Sequence, residues 1–193
     1  SLCRRLGFET ANVDGYAGYA QFPGQKEEQL GILCHLDVVP AGEGWLHPPY
    51  EGVYENGVIY GRGAVDDKGP AISAIYALAA LKRAGAAFRR TPRIIFGCDE
   101  ESGWECMDYY ASKIGMPEMG FSPDADYPII NTEKGIYHAQ LKKKISRGEN
   151  YSISIHGGTR ANVVPDCAQA YIKGNTAPLI AVSYTHLTLP TIR

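Results

Sequence analysis

No apolar run in these 193 residues approaches the ~20 residues that a membrane-spanning helix requires. No positively charged and then apolar leader opens the chain, so neither a membrane partner nor export is expected. Charge of one sign is also lacking. With 19 Lys and Arg against 21 Asp and Glu, the surface advertises no polyanion-binding face. Nor does any basic run interleave with aromatics, which argues against nucleic acid as the main partner. The five cysteines (Cys3, Cys34, Cys98, Cys106, Cys167) never form a C-x-x-C pair, and their odd, scattered placement argues against a disulfide scaffold. Reduced thiols in a cytoplasmic protein are the expectation, with Cys34 and Cys98 as small core residues inside apolar strands. No Gly-rich phosphate loop joins a strand to a helix, which removes a nucleotide-binding domain. No internal repeat is visible.

The chain does carry alternating strands and helices. Ser1–Phe8 reads as the last turn of a helix stopped at Gly7. Tyr16–Phe22 alternates like a strand, Gly24–Glu28 is polar and turn-like, and Gln29–Cys34 suits a buried strand. Pro40–Pro49 is a Gly/Pro loop, and Val58–Tyr60 a short strand. Pro70–Gly85 predicts the clearest helix, alanine-rich with Pro at its start and Gly at its end. Arg93–Cys98 predicts another buried strand, and Ser102–Ile114 a helix stopped at Gly115. Ile129–Ile130, Gly135–Lys143, Tyr151–His156 and Cys167–Ile172 read as further strands.

This order predicts an α/β fold with a mostly parallel sheet flanked by helices, followed by the beginning of an α+β lid domain. The expected organisation is a catalytic domain over 1–145 and a lid segment over 146–182, with the boundary in the turn-like text at 145–150. Residues 183–193 break with the preceding text and read as a foreign tail. Both ends look truncated.

Chemistry is concentrated in three clusters, each just after a strand-like run. They are His35-Leu36-Asp37, Asp66-Asp67-Lys68-Gly69 and Asp99-Glu100-Glu101-Ser102-Gly103. One histidine and several carboxylates make a mixed N/O donor set suited to hydrolytic zinc. Strand ends are also where open α/β sheets place their sites. A plainer reading makes the Glu100-Glu101 pair acids at a helix start, with Ser102 as the cap. Asp124, with Asp126 as the alternative, lies in a carboxylate-rich turn that a simple Asx turn would also explain.

HLDVVPAGEGW, YGRGAVDDKGP, the Glu-Glu-Ser-Gly cluster and SPDADYPI together resemble one family. It is the co-catalytic zinc metallopeptidase family of dipeptidase V, carnosinase, succinyl-diaminopimelate desuccinylase and carboxypeptidase G, and the wording leans toward its dipeptidases. The resemblance implies hydrolysis of a small peptide by a water activated between two Zn2+ ions, with Co2+ or Mn2+ as substitutes. It implies metal ligands His35, Asp66 (bridging both ions), Glu101 and Asp124. Asp37 is then the aspartate that orients the histidine, and Glu100 the general base. Asp66 and Asp67 would be joined by a cis peptide.

The same resemblance makes Arg62 a brace for the loop and Lys68 a partner for the acids. Trp45 and Tyr50 would wall the pocket or brace that loop. Asn162 would be a substrate contact at the start of the lid, with a plain turn asparagine equally open. His138 and His156 read as packing residues. A homodimer through the lid is a further expectation. The family's last ligand histidine lies beyond this chain's text, which would impair activity in the fragment. Two alternatives stay open: an N-acyl amino acid deacylase of the same family, and a non-catalytic metal-binding protein.

Overall fold

The computed structural model describes residues 1–126, 128–132, 135, 151–158 and 168–174. The chain divides into two compact units, Ser1–Asn131 and Thr132–Arg193. The expected boundary at 145–150, the tail at 183–193, Asn162, Cys167 and His138 lie outside the described residues.

The first unit begins with a short helix α1 (Leu2–Arg5), followed by Gly7 at positive φ. An antiparallel hairpin follows, β1 (Glu9–Val13) and β2 (Ala17–Gln21). The long strand β3 (Lys26–His35) leads into a loop bearing a second hairpin, β4 (Val53–Glu55) and β5 (Val58–Tyr60). A wide turn, Ala64–Lys68, opens into helix α2 (Gly69–Arg83), and strand β6 (Arg90–Gly97) follows. Helix α3 (Glu105–Ile114) and strand β7 (Met119–Phe121) complete the unit. The second unit contains the antiparallel pair β8 (Tyr151–Gly157) and β9 (Ala168–Gly174).

The five-stranded sheet has the order β1-β2-β6-β3-β7. β3 pairs in parallel with both β6 and β7, while β1 and β2 add antiparallel strands at one edge. From β3 the chain crosses to β6 on one side, and from β6 it crosses back past β3 to β7. Right-handed crossovers running in opposite directions must place their helices on opposite faces. The packing agrees. Ile32, Cys34 and Ile94 meet Ile75, Leu78 and Ala79 of α2 on one face. Ile95 meets Cys106, Met107 and Tyr110 of α3 on the other. Alternation along β6, with Ile94 to one side and Ile95 to the other, is the two-residue period of a strand buried on both faces.

Several local expectations are corrected. Lys26–Glu28 belongs to β3 rather than to a turn, because Arg90 on the neighbouring strand pairs with Glu28 at 3.0 Å and offsets its charge there. Helix α3 starts at Glu105, not Ser102, and the Asp99 side chain accepts the Cys106 N–H at 3.2 Å where Ser102 was the expected cap. Cys34 is buried, but Cys98 lies just past the end of β6 and is exposed. The third parallel strand is Met119–Phe121; Ile129–Ile130 is exposed and not a strand. His156 is exposed on β8, with its Nε2 2.8 Å from Ser154 Oγ, rather than packed. The strand Glu9–Val13 has too weak an alternation to be legible beforehand.

Candidate functional site

His35 is the last residue of β3 and lies opposite Gly97, the last residue of β6. β7 runs beside β3 only from Leu30 to Ile32. A crevice therefore opens beyond β7 at the carboxyl ends of the parallel strands, the usual place for a ligand in such sheets.

Into this crevice fall the acidic side chains. His35 Nε2 lies 2.9 Å from Asp66 Oδ1 and 3.2 Å from Asp124 Oδ2. These three side chains offer ligand atoms within 4.8 Å of one another, a spacing that one metal ion could span. The imidazole is almost wholly buried at 1% exposure, whereas Asp66 is 61% and Asp124 26% exposed, so the centre has a dry base and an open mouth. That burial excludes a solvated loop histidine. The other ring nitrogen, Nδ1, lies 3.1 Å from the Asp37 carbonyl oxygen and 3.4 Å from its carboxylate. An Nδ1–H donated to that carbonyl would leave Nε2 as the ligand atom, the usual orientation of a metal-bound histidine.

Each carboxylate has a local reason to be where it is. The Ala64–Lys68 turn begins after Gly63, at φ 80°, where a Cβ would stand 2.6 Å from Val38 Cγ1. Only glycine takes that left-handed conformation and that approach without strain. The Asp66–Asp67 peptide within the turn is cis. Asp124 is brought in by Ser122, whose hydroxyl donates to the Leu33 carbonyl at 2.9 Å and accepts the Asp124 N–H at 3.3 Å. Ser122 was not singled out in the sequence, although Ser-x-Asp is a recognisable turn pattern.

The Glu100-Glu101 segment is held by Asp37, whose Oδ1 accepts the Glu100 N–H and Oδ2 the Glu101 N–H, both at 3.1 Å. The Asp99 carbonyl accepts the N–H groups of Ser102, Gly103 and Trp104, curling the chain tightly behind the pair. Glu101 contributes no atom to the three-residue cluster.

Electrostatics follow from this crowding. Burial alone would lower the His35 pKa, but the carboxylates of Asp124, Asp37 and Asp66 outweigh it and the pKa is raised. Burial raises the Glu100 pKa, countered in part by His35 and reinforced by Asp124, Glu101 and Asp37. Asp67 is also raised by burial, against the hydrogen bond it receives from the His35 amide. Its neighbour Cys34 is pushed up by burial and by the Asp67 charge, so that thiol stays protonated.

The loop beyond the site is tied at Ala41. Its carbonyl accepts Trp45 Nε1–H at 2.8 Å and an Arg62 guanidinium N–H at 3.0 Å, and its N–H reaches the Tyr50 hydroxyl. Arg62, Trp45 and Tyr50 therefore brace the loop. Together with Val38, Lys68 and Ile72, Tyr50 and Arg62 line a cavity of about 610 Å³ at the start of α2. Among the described residues Lys68 forms no ion pair with the acids.

The donor set suits a hydrolytic metal. One imidazole nitrogen and two carboxylates, with Glu101 and Glu100 on the adjoining turn, supply the N/O donors that a divalent hydrolytic metal takes.

A sequence profile described as peptidase family M20/M25/M40 matches residues 31–182. The chain belongs to this family. Over 177 residues it is 45% identical to the putative dipeptidase YtjP of Bacillus subtilis, covering 90% of the chain and 38% of that protein. It is 40% identical over 187 residues to the beta-Ala-Xaa dipeptidase of Lactobacillus delbrueckii subsp. lactis, covering 95% of the chain and 40% of that protein. Human carnosine dipeptidase 1 is similar in structure at a TM-score of 0.55 and 26% identity, over 65% of this chain and 31% of that one. An M20 metallo-carboxypeptidase from Sulfolobus solfataricus shares the fold at a TM-score of 0.55 and 22% identity, over 63% of this chain and 30% of that one. The chain thus spans about two fifths of the length of the curated relatives it matches. The α/β fold read from the sequence is that of this family's catalytic domain. Among the described residues, no helix is long and apolar enough to cross a membrane.

Proposed function

We propose that the full-length protein is a metal-dependent dipeptidase. The observation that carries this reading is the convergence of His35 Nε2, Asp66 Oδ1 and Asp124 Oδ2 at the open end of a parallel sheet. Dipeptidase relatives at 40–45% identity support the substrate class.

His35, Asp66 and Asp124 would hold the metal, zinc in this reading, with Glu101 joining the set. When bound, the metal supplies Lewis-acid polarisation of the scissile carbonyl and acidifies the attacking water. Glu100 is the general base. Its carboxylate would take a proton from the attacking water and return it to the departing amine, and burial raises its pKa above the ordinary carboxylate value. Asp37 orients both halves, the imidazole through its carbonyl and the Glu100-Glu101 turn through its carboxylate. The dry floor beneath His35 strengthens these interactions by keeping water out. Asn162 is assigned a substrate contact, and dimerisation through the lid and a cytoplasmic location complete the reading.

The test is an assay of the zinc-, cobalt- or manganese-loaded full-length protein against dipeptides, including β-alanyl dipeptides, and against N-acyl amino acids. Cleavage of dipeptides is expected. Preference for N-acyl amino acids would move the protein to the deacylases, and metal binding without hydrolysis of either class would make it a non-catalytic metal protein.

A further inference from the structure

Asp67 is a second carboxylate beside the ligand-distance cluster, and it is fully buried at 0% exposure. An unpaired buried carboxylate is among the costliest groups a protein can retain. Among the described residues Asp67 has no ion-pair partner, and its Oδ1 has no hydrogen-bond partner. Its Oδ2 accepts the backbone N–H of His35 at 3.1 Å, and the protonated Cys34 thiol is a weak donor beside the same carboxylate.

The reason that amide needs an acceptor lies in the sheet. Along a parallel strand the backbone polar groups alternate between the two neighbours. The Leu36 N–H donates to Gly97 of β6 at 3.0 Å, so the His35 N–H faces the other way, toward β7. β7 ends opposite Ile32 and offers no carbonyl at the level of His35. The same edge is repaired two residues earlier, where the Ser122 hydroxyl donates to the Leu33 carbonyl. A buried amide left without an acceptor would be costly in its own right.

We propose that Asp67 is a positioning residue whose carboxylate takes the place of the missing β7 carbonyl, clamping the His35 backbone to the Ala64–Lys68 turn and so fixing where His35 Nε2 meets Asp66 Oδ1. Adjacent aspartates then form a fork. Asp66 faces the crevice beside the imidazole, and Asp67 reaches beneath it to the backbone of the same histidine. The two ligands from separate elements are thereby set by one turn. The bond asks only for an acceptor oxygen, so an amide of the same shape should serve.

This inference rests on the reading that His35 and Asp66 hold a metal, and the test separates the two. Zinc affinity of the full-length apoprotein is measured by competition with a chromophoric chelator, alongside hydrogen exchange at the His35 amide. Asp67→Asn should bind zinc within about threefold of wild type and keep the amide protected. Asp67→Ala should weaken zinc binding by about tenfold to a hundredfold, the usual consequence of losing an outer-shell partner, and open the amide to exchange. Equal zinc affinity in Asp67→Ala and wild type overturns the proposal. So does an Asn variant that loses as much affinity as the Ala variant, since charge and not the clamp would then matter. If Asp67→Ala does not fold, Asp67→Asn decides alone: retained affinity with a protected amide supports the clamp, and a tenfold loss overturns it. Failure of the wild type to bind zinc would sink the metal reading, while the exchange measurement still reports on the clamp.

Discussion

Asp37 Oδ1 accepts the backbone N–H of Glu100 at 3.1 Å. With Oδ2 on the Glu101 amide, a single carboxylate holds the turn that carries both glutamates. Asp37→Ala leaves two part-buried amides without their acceptor, at a cost on the order of 2 kcal/mol. Because Glu100 then loses its fixed approach, turnover should fall by at least about tenfold. Asp37→Asn keeps one acceptor oxygen and should fall between. Thermal melts and steady-state kinetics check this, and an Asp37→Ala protein with wild-type turnover would refute it.

The two halves of the site should fail differently. Glu100→Gln is expected to retain bound metal and lose turnover by about 10²- to 10⁴-fold, as for a missing general base. His35→Ala and Asp66→Ala should instead lose the metal. Metal content after gel filtration, compared with kcat, distinguishes the two. A Glu100→Gln protein with full activity would overturn the assignment of the base.

Tyr110 provides a pH dependence remote from the crevice. It is 0% exposed, its hydroxyl accepts an N–H from the buried Arg93 at 3.2 Å, and burial raises its pKa against the pull of that guanidinium. The folded state therefore favours the neutral phenol more strongly than the unfolded chain does. Its stability contribution is full below the ordinary tyrosine value of about 10 and is lost as pH rises beyond it. The melting temperature should decline above about pH 10, less steeply in Tyr110→Phe. At neutral pH the Phe variant should be about 1 kcal/mol less stable, because Arg93 loses an acceptor. Parallel slopes in the two proteins would exclude Tyr110 as the cause.

Ile94 is wholly buried between the sheet and α2. Ile94→Ala should cost about 2–5 kcal/mol, and Ile94→Val about 0.5–1.5 kcal/mol. Denaturant unfolding checks both, and an alanine variant within 0.5 kcal/mol of wild type (a value typical of surface changes) would show that the core re-forms around the gap.

How legible each part was depends on whether its cause is local. Helix α2 declares itself through Pro70, its alanines and Gly85. The ends of β3 and β6 show as apolar runs because both their faces are buried. The start of β3 was hidden, since Lys26, Glu27 and Glu28 look like a turn until Arg90 is brought alongside. Met119–Phe121 was hidden as well, being three residues long with a central glycine. In the site, the acidic clusters stood out by residue type, the family resemblance picked His35, Asp66, Glu101 and Asp124 from them as ligands, and the fold brings His35, Asp66 and Asp124 to ligand distance of one another. The backbone contacts of Asp37 and Asp67 could not be read beforehand. The first depends on the turn after β6 folding back over the end of β3, the second on β7 stopping short of His35, and both are properties of the assembled sheet.

The sheet also acts as a partition. Asp66 stands on the turn that enters α2, whose packing partners all lie on one face. Glu100 and Glu101 stand on the turn that enters α3, supported on the other face by Trp104 and Cys106. Among the described residues, no buried one belongs to both clusters. The turns that carry Asp66 and Glu100 therefore rest on separately packed beds, joined through Asp37, whose carbonyl meets the imidazole and whose carboxylate holds the Glu100-Glu101 turn. Repacking under α3 would thus reach the imidazole through Asp37, not through the bed under Asp66.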